Sequence, residues 1–129
     1  MKYLTGEDLL AIHTSVIAES GGSDGVRDDH ALLSLENSPR LQAFGQELYP
    51  TIYLKAAIYA REIISQHPYF DGNKRSGMAT SLVFLKLNGY TLQLHTNDIL
   101  DFALKIVLEK LSLEEIAAWL KRHSKKTKK

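Results

Sequence analysis

Cysteine is absent from the chain, which excludes disulfides and thiolate metal sites. No apolar run of membrane length occurs either. The most apolar stretch, Gly77 to Leu87, contains Lys86 and falls well short of the ~20 residues a spanning helix needs. Glu7 and Asp8 interrupt the opening MKYLTGEDLLAIH, so no signal peptide is expected. The expectation is a soluble, cytoplasmic protein with no membrane partner. Repeats and long linkers are also lacking. Proline is confined to positions 39, 50 and 68. A chain of 129 residues fits one domain able to bury a core without staples.

The formal net charge of +1 conceals an asymmetry. Lys121, Arg122, Lys125, Lys126, Lys128 and Lys129 all lie in the last nine residues. The preceding 120 residues carry 10 Lys and Arg against 15 Asp and Glu, a net −5. An acidic body argues against a broad nucleic-acid surface. The basic tail alone suits RNA or acidic lipid heads, or is simply a solvated terminus. Residues 1–120 are therefore read as the domain and 121–129 as a basic, disordered tail.

Helical signals dominate the body. Thr5 with Asp8 forms a variant capping box. Leu9, Ile12, His13, Val16 and Ile17 then recur at helical spacing, until Gly21 and Gly22 stop the helix. A short helix is expected from about Asp28 to Glu36. Residues 37–50 hold two prolines and a glycine and read as a loop or short hairpin. Helix resumes near Thr51, with Ile52, Ala56, Tyr59, Ala60 and Ile63 on one stripe that continues to His67. Pro68 ends it at or near His67. The next helix runs from about Asn73 to Asn88 and is apolar on nearly every side, which suits the centre of a bundle. Tyr90 to His95 suggests a short extended piece. Two amphipathic helices follow, from Thr96 or Asn97 and from Ser112, the latter with a capping box through Glu115. The fold class is an all-α bundle with one irregular excursion.

Residues 67–77 read His-Pro-Tyr-Phe-Asp-Gly-Asn-Lys-Arg-Ser-Gly. A helix N-terminus beginning at Asn73 presents unpaired N–H groups and partial positive charge, a ready anion site. Lys74 and Arg75 add two full charges, and arginine grips phosphate oxygens as a fork. Gly72 permits close backbone approach. Asp71 supplies a hard oxygen for Mg²⁺, which usually takes one or two carboxylates together with phosphates and waters. His67 brings an imidazole, which titrates at about 6.5 when unperturbed and so is a natural general base. Singly, each residue has an ordinary explanation. A histidine at a helix end is usually a charge partner or a core side chain. Asp71 suits an N-cap, and Lys74 and Arg75 suit a solvated first turn. Yet cations there oppose the helix dipole, and the combination favours a bound anion.

The segment resembles the Fic-family motif His-x-Phe-x-Asp/Glu-Gly/Ala-Asn-Gly/Lys-Arg. His67, Asp71, Gly72, Asn73 and Arg75 fit it, and Tyr69 replaces the usual Phe at a buried anchor. Lys74 and Met78, where AMP-transferring members typically carry Gly and a second Arg, point to the Doc branch. GVRDDHALLSLENSPR at 25–40 is similar to the Doc segment Gly-x-Arg-Asp-x-x-x-Leu-x-x-Ala. The resemblance spans most of residues 3–120 and leaves out the basic tail.

That resemblance implies a helical Fic fold with a flap at 39–50. It implies a toxin of a type II toxin–antitoxin pair, a kinase that uses ATP and Mg²⁺ to phosphorylate a threonine of elongation factor Tu and arrest translation. By motif position His67 is the catalytic base, Asp71 holds Mg²⁺, and Gly72, Asn73, Lys74 and Arg75 bind the nucleotide phosphates. A Phd-type antitoxin is the expected partner, with nucleic acid met only indirectly through the antitoxin complex. Two other readings stay open: an AMP-transferring enzyme of the same fold, and a non-catalytic binding or co-repressor subunit. Ser15 to Glu19 approximates the family's inhibitory helix motif, but Ser20 breaks its last position. These residues are read as one polar face of the first helix, so inhibition is expected from another chain.

Overall fold

The computed structural model describes residues 1–127. Helix α1 (Gly6–Ser20) starts at Thr5, which accepts from the Asp8 N–H while Asp8 answers in a capping box. Helix α2 (Asp29–Asn37) is capped by Asp28, and a 3₁₀ turn, Ser38–Arg40, follows with Pro39 buried. Strands β1 (Gln42–Ala43) and β2 (Gln46–Glu47) pair antiparallel, Ala43 opposite Gln46. Phe44 and Gly45 turn this hairpin in left-handed conformations, φ 54° and 78°. Helix α3 (Ile52–Gln66) is capped by Thr51, and α4 spans Asn73–Leu87. Strand β3 (Tyr90–Leu92), α5 (Thr96–Leu108), α6 (Leu113–His123) and β4 (Ser124–Lys126) complete the chain. The mostly helical bundle matches the expected fold class.

Helices α3 and α4 form the central hairpin. Their backbones approach closely because small residues line the seam. A Cβ at Gly77 would stand 3.1 Å from the Ala60 carbonyl oxygen and 2.8 Å from Ile64 Cγ1. One turn along, Ser81 Oγ donates to the Ala56 carbonyl at 2.9 Å, which satisfies a hydroxyl that would otherwise be costly to bury. Around this seam pack Leu9 of α1, Leu32 and Leu35 of α2, Phe102 and Ile106 of α5, and Ile116 and Leu120 of α6. Tyr59 anchors the N-terminal segment, accepting from the Leu4 N–H at 3.2 Å. Burial pushes its phenol up to about 12.

The hairpin at 42–47 is the expected flap, and a buried lysine ties it down. Lys55 Nζ, on α3, donates to the Pro39 carbonyl at 2.9 Å and to Glu47 Oε1 at 2.8 Å. The ammonium thus leaves water but keeps two acceptors, one of them charged, as a buried cation requires.

Two features differ from the sequence-based expectation. The apolar stripe of α3 stops before His67. The chain turns left-handed at that residue, φ 51° and ψ 57°, and its side chain is exposed. The segment read as a disordered tail from Lys121 onward is in large part regular. Lys121 to His123 complete α6, and β4 pairs antiparallel with β3, Thr91 opposite Lys125. Backbone hydrogen bonds carry that pairing, reinforced by the Thr127 N–H donating to the Gly89 carbonyl at 2.7 Å. The last two lysines of the proposed tail lie outside the described residues.

Candidate active site

The turn between α3 and α4 is built by three local devices. Pro68 blocks continuation of α3, so His67 becomes its C-cap. Tyr69 drives its ring fully into the core, and its hydroxyl donates to the Leu9 carbonyl at 3.2 Å. Burial without a charged partner pushes that phenol far above its ordinary value. Asn73 then closes the turn. Its Oδ1 accepts from the Tyr69 N–H at 3.1 Å and its Nδ2 donates to the Tyr69 carbonyl at 3.0 Å. Both ends of the amide are engaged by backbone, so Asn73 shapes the turn that any ligand would meet.

Helix α4 opens on Gly72, a left-handed N-cap at φ 71° and ψ 23° that gives no side-chain cap, and its first turn holds no acid. The first-turn donors therefore point outward, with the positive end of the helix dipole behind them. Lys74 and Arg75 are exposed there and form no ion pair among the described residues. Two uncompensated cations at a positive helix end are an unfavourable arrangement in isolation and suit an anion. A Cβ at Gly72 would lie 3.0 Å from Ile17 Cδ1, so the backbone there sits tight against α1.

Asp71 is exposed beside this end. Its Oδ1 accepts from the Gly72 N–H at 3.0 Å and its Oδ2 from the Ser23 N–H at 3.3 Å. Each carboxylate oxygen keeps a further lone pair, and the two backbone donors fix its orientation. Among the described residues no group of three His, Asp or Glu side chains forms a metal cage. A single oriented carboxylate is a donor set that suits Mg²⁺ where phosphates and water supply the remaining ligands.

The structure does not gather all of the expected residues into one cavity. Arg75 opens on a cavity of about 470 Å³ lined also by Glu19, Met78, Leu82 and Ile99. His67 borders a separate one of about 330 Å³ with Arg61, Ile64, Val107 and Lys110. Helix α5 edges both, its first turn at the Arg75 cavity and its last at the His67 cavity. Glu19, the acid of the imperfect inhibitory motif, faces the same cavity as Arg75 without forming an ion pair with it.

One residue of the site was visible in the sequence only as part of an apolar stripe. His13 is 1 % exposed. Its ring stacks on Tyr69 at 3.7 Å between centroids and an interplanar angle of 3°. Its Nδ1 is hydrogen-bonded to Ser76 Oγ at 2.7 Å. Nε2 is buried without a partner among the described residues, and Asp24 Oδ1 lies 3.8 Å away. His13 thus joins α1 to both the turn and the first turn of α4. Burial holds its imidazole below the usual 6.5, against the opposing pull of the Asp24 and Asp71 carboxylates. A depressed folded-state value means that the unfolded chain takes the proton first. The stabilisation is complete above about 6.5 and is lost as pH falls through the folded value. Thermal midpoints measured from pH 7.5 to 5.5 should therefore fall more steeply for the wild type than for His13→Gln. Parallel curves would remove His13 as the source.

Comparison with known proteins agrees with this architecture. The Fic/DOC family matches residues 3–85. The chain is 34% identical over 91 residues to Toxin Doc of Mycolicibacterium smegmatis, covering 70% of this chain and 68% of that one. It is 23% identical over 122 residues to Protein kinase doc of Escherichia phage P1, covering 95% of both. The protein belongs to the Fic/Doc family. Among the described residues no helix is long and apolar enough to cross a membrane.

Proposed function

We propose that this protein is a Doc-type toxin that transfers the γ-phosphoryl group of ATP to a Ser or Thr hydroxyl of a target such as elongation factor Tu, and so arrests translation. The observation that carries the reading is the uncapped start of α4, where Lys74 and Arg75 stand exposed, with no ion pair among the described residues, at the positive end of a helix. Two relatives, one named a Doc toxin and the other a Doc protein kinase, support it. In this reading the α4 amides, Lys74 and Arg75 hold the phosphates. Asp71 would hold Mg²⁺, which when bound would supply neutralising charge to them. The target oxygen attacks the γ-phosphorus, the bond to the bridging oxygen breaks, and ADP leaves. His67 takes the hydroxyl proton. Phosphoryl transfer asks mainly for such positioning and charge stabilisation.

Met78 favours phosphoryl over AMP transfer. It is fully buried on α4, an apolar side chain at the place where AMP-transferring relatives of the motif carry a second arginine. A Phd-type antitoxin is the proposed partner. Its docking segment would be a helix seated near the flap, where Leu41, Phe44 and Leu48 are exposed. The deciding experiment is the intact mass of elongation factor Tu after incubation with the protein, ATP and Mg²⁺. A gain of one phosphate is expected. A gain of one AMP would replace the kinase reading, and an unchanged mass would remove elongation factor Tu as the target.

A further inference from the structure

The C-terminal end of α3 poses a problem that the motif itself does not solve. His67 adopts a left-handed backbone, φ 51° and ψ 57°, which a side chain bearing a Cβ disfavours. It also sits where a helix leaves its last carbonyls without intrahelical donors. Something must hold this backbone, because it sets where the imidazole points. Within the 67–75 segment the His67 N–H reaches back to the Ile63 carbonyl at 3.2 Å, but no donor there reaches the Gln66 or His67 carbonyl. Asn73 bonds to Tyr69, and Asp71 bonds to Gly72 and Ser23.

The missing support comes from 40 residues upstream. Arg27 Nε and Nη2 both donate to the His67 carbonyl, at 2.9 and 2.6 Å, and Nη2 also donates to the Gln66 carbonyl at 3.0 Å. The backbone around Arg27 continues the clamp. The Arg27 and Asp28 N–H groups donate to the Pro68 carbonyl at 2.7 and 3.0 Å, and the Phe70 N–H donates to the Gly25 carbonyl at 3.3 Å. Val26 and Tyr69 form an antiparallel bridge. Residues 25–28 thus lie along 66–70 as a strap, and the guanidinium is its fastening. The arrangement suits arginine in particular. A planar fork converges two N–H groups on the His67 carbonyl while Nη2 also serves the Gln66 carbonyl, a fixed geometry that a single ammonium cannot copy. Its charge also sits at the negative end of α3, where a cation is favoured.

We infer that Arg27 is a positioning residue for His67, holding the left-handed backbone that aims the imidazole at the reacting hydroxyl. This rests on the reading of His67 as the base. Arg27 does not touch the α4 phosphate site, so its loss should slow transfer without weakening ATP binding. It differs in that respect from Lys74 or Arg75. It also differs from an ordinary helix-capping residue, whose loss would lower stability but leave the geometry of the remaining imidazole population unchanged.

The test compares Arg27→Ala, Arg27→Lys and His67→Ala in the full chain. The first measurement is the imidazole NMR spectrum. His67 is assigned by its loss in His67→Ala, with His13, His30, His95 and His123 as internal references. In Arg27→Ala the His67 signal should move and broaden while the His13 signal, which reports the buried stack on Tyr69, stays in place. The second is phosphoryl transfer to elongation factor Tu. For Arg27→Ala we expect kcat to fall at least tenfold with KM for ATP within twofold. Arg27→Lys should be intermediate, and millimolar guanidinium should partly restore Arg27→Ala. An unmoved His67 signal, or His67 and His13 signals collapsing together, would overturn the inference. So would wild-type kcat in Arg27→Ala beside an inactive His67→Ala. Wild-type turnover in His67→Ala would instead overturn the functional reading, leaving the NMR result to decide whether Arg27 holds the turn.

Discussion

His67→Ala is expected to abolish transfer to the target hydroxyl, by roughly 10²- to 10⁴-fold for loss of a general base, and to leave the fold intact. The expectation of an intact fold comes from the structure. The imidazole is exposed, and the residue's ties to the rest of the molecule run through its backbone. Its carbonyl accepts from Arg27 and its N–H donates to the Ile63 carbonyl at 3.2 Å. Alanine keeps both. His67 carries the one imidazole between residues 67 and 77, and the Asp71 carboxylate is oriented by two backbone donors. His13 is buried, stacked on Tyr69 and hydrogen-bonded to Ser76. The check is the initial rate of phosphate incorporation beside a thermal melt of the same sample. Wild-type rate at unchanged midpoint would assign the base elsewhere. The same variant should relieve growth arrest when the chain is expressed without a partner in a bacterial host.

What the sequence makes legible here is chemistry written in adjacent residues. Thr5 with Asp8 and Ser112 with Glu115 form the capping boxes that their spacing announces. Pro68 ends α3 where a proline must, and Tyr69 is the buried anchor its place in the motif suggests. Prolines at 39 and 50 bracket the flap. What stays hidden depends on partners far apart in the chain. The Arg27 fork reaches across 40 residues to His67, and no local pattern encodes that reach. The β3–β4 pair uses only main-chain groups, so a run of lysines, which suggests a solvated tail by composition, hides a strand. Asn73 looks like a phosphate ligand by type and is occupied by the turn it closes. The separation of His67 and Arg75 into cavities at opposite ends of α5 is equally invisible. The left-handed turn at His67 is likewise a backbone state that the residue name does not disclose.

Arg75→Ala should weaken ATP binding by roughly 10- to 100-fold, the scale of one charge-assisted, forked contact. Arg75 is exposed at the third helical position of α4 and borders the 470 Å³ cavity. Its guanidinium forms no ion pair with a carboxylate among the described residues, so its loss should cost the fold little. Lys74→Gly is the informative companion. It removes a point charge from the same helix end and restores the residue that AMP-transferring relatives carry there. It leaves Met78, a buried apolar side chain of α4 that lines the same cavity as Arg75, unable to supply the second cation. We therefore expect Lys74→Gly to lose γ-phosphoryl transfer without gaining clean AMP transfer. Reactions with α- and γ-labelled ATP separate the two: label from the γ position should fall in both variants, and label from the α position should stay at background. ATP affinity unchanged in Arg75→Ala would mean that the phosphates lie away from the start of α4. Strong α-label incorporation by Lys74→Gly would show that one charge at that helix end, rather than the apolar Met78, decides which phosphorus is attacked.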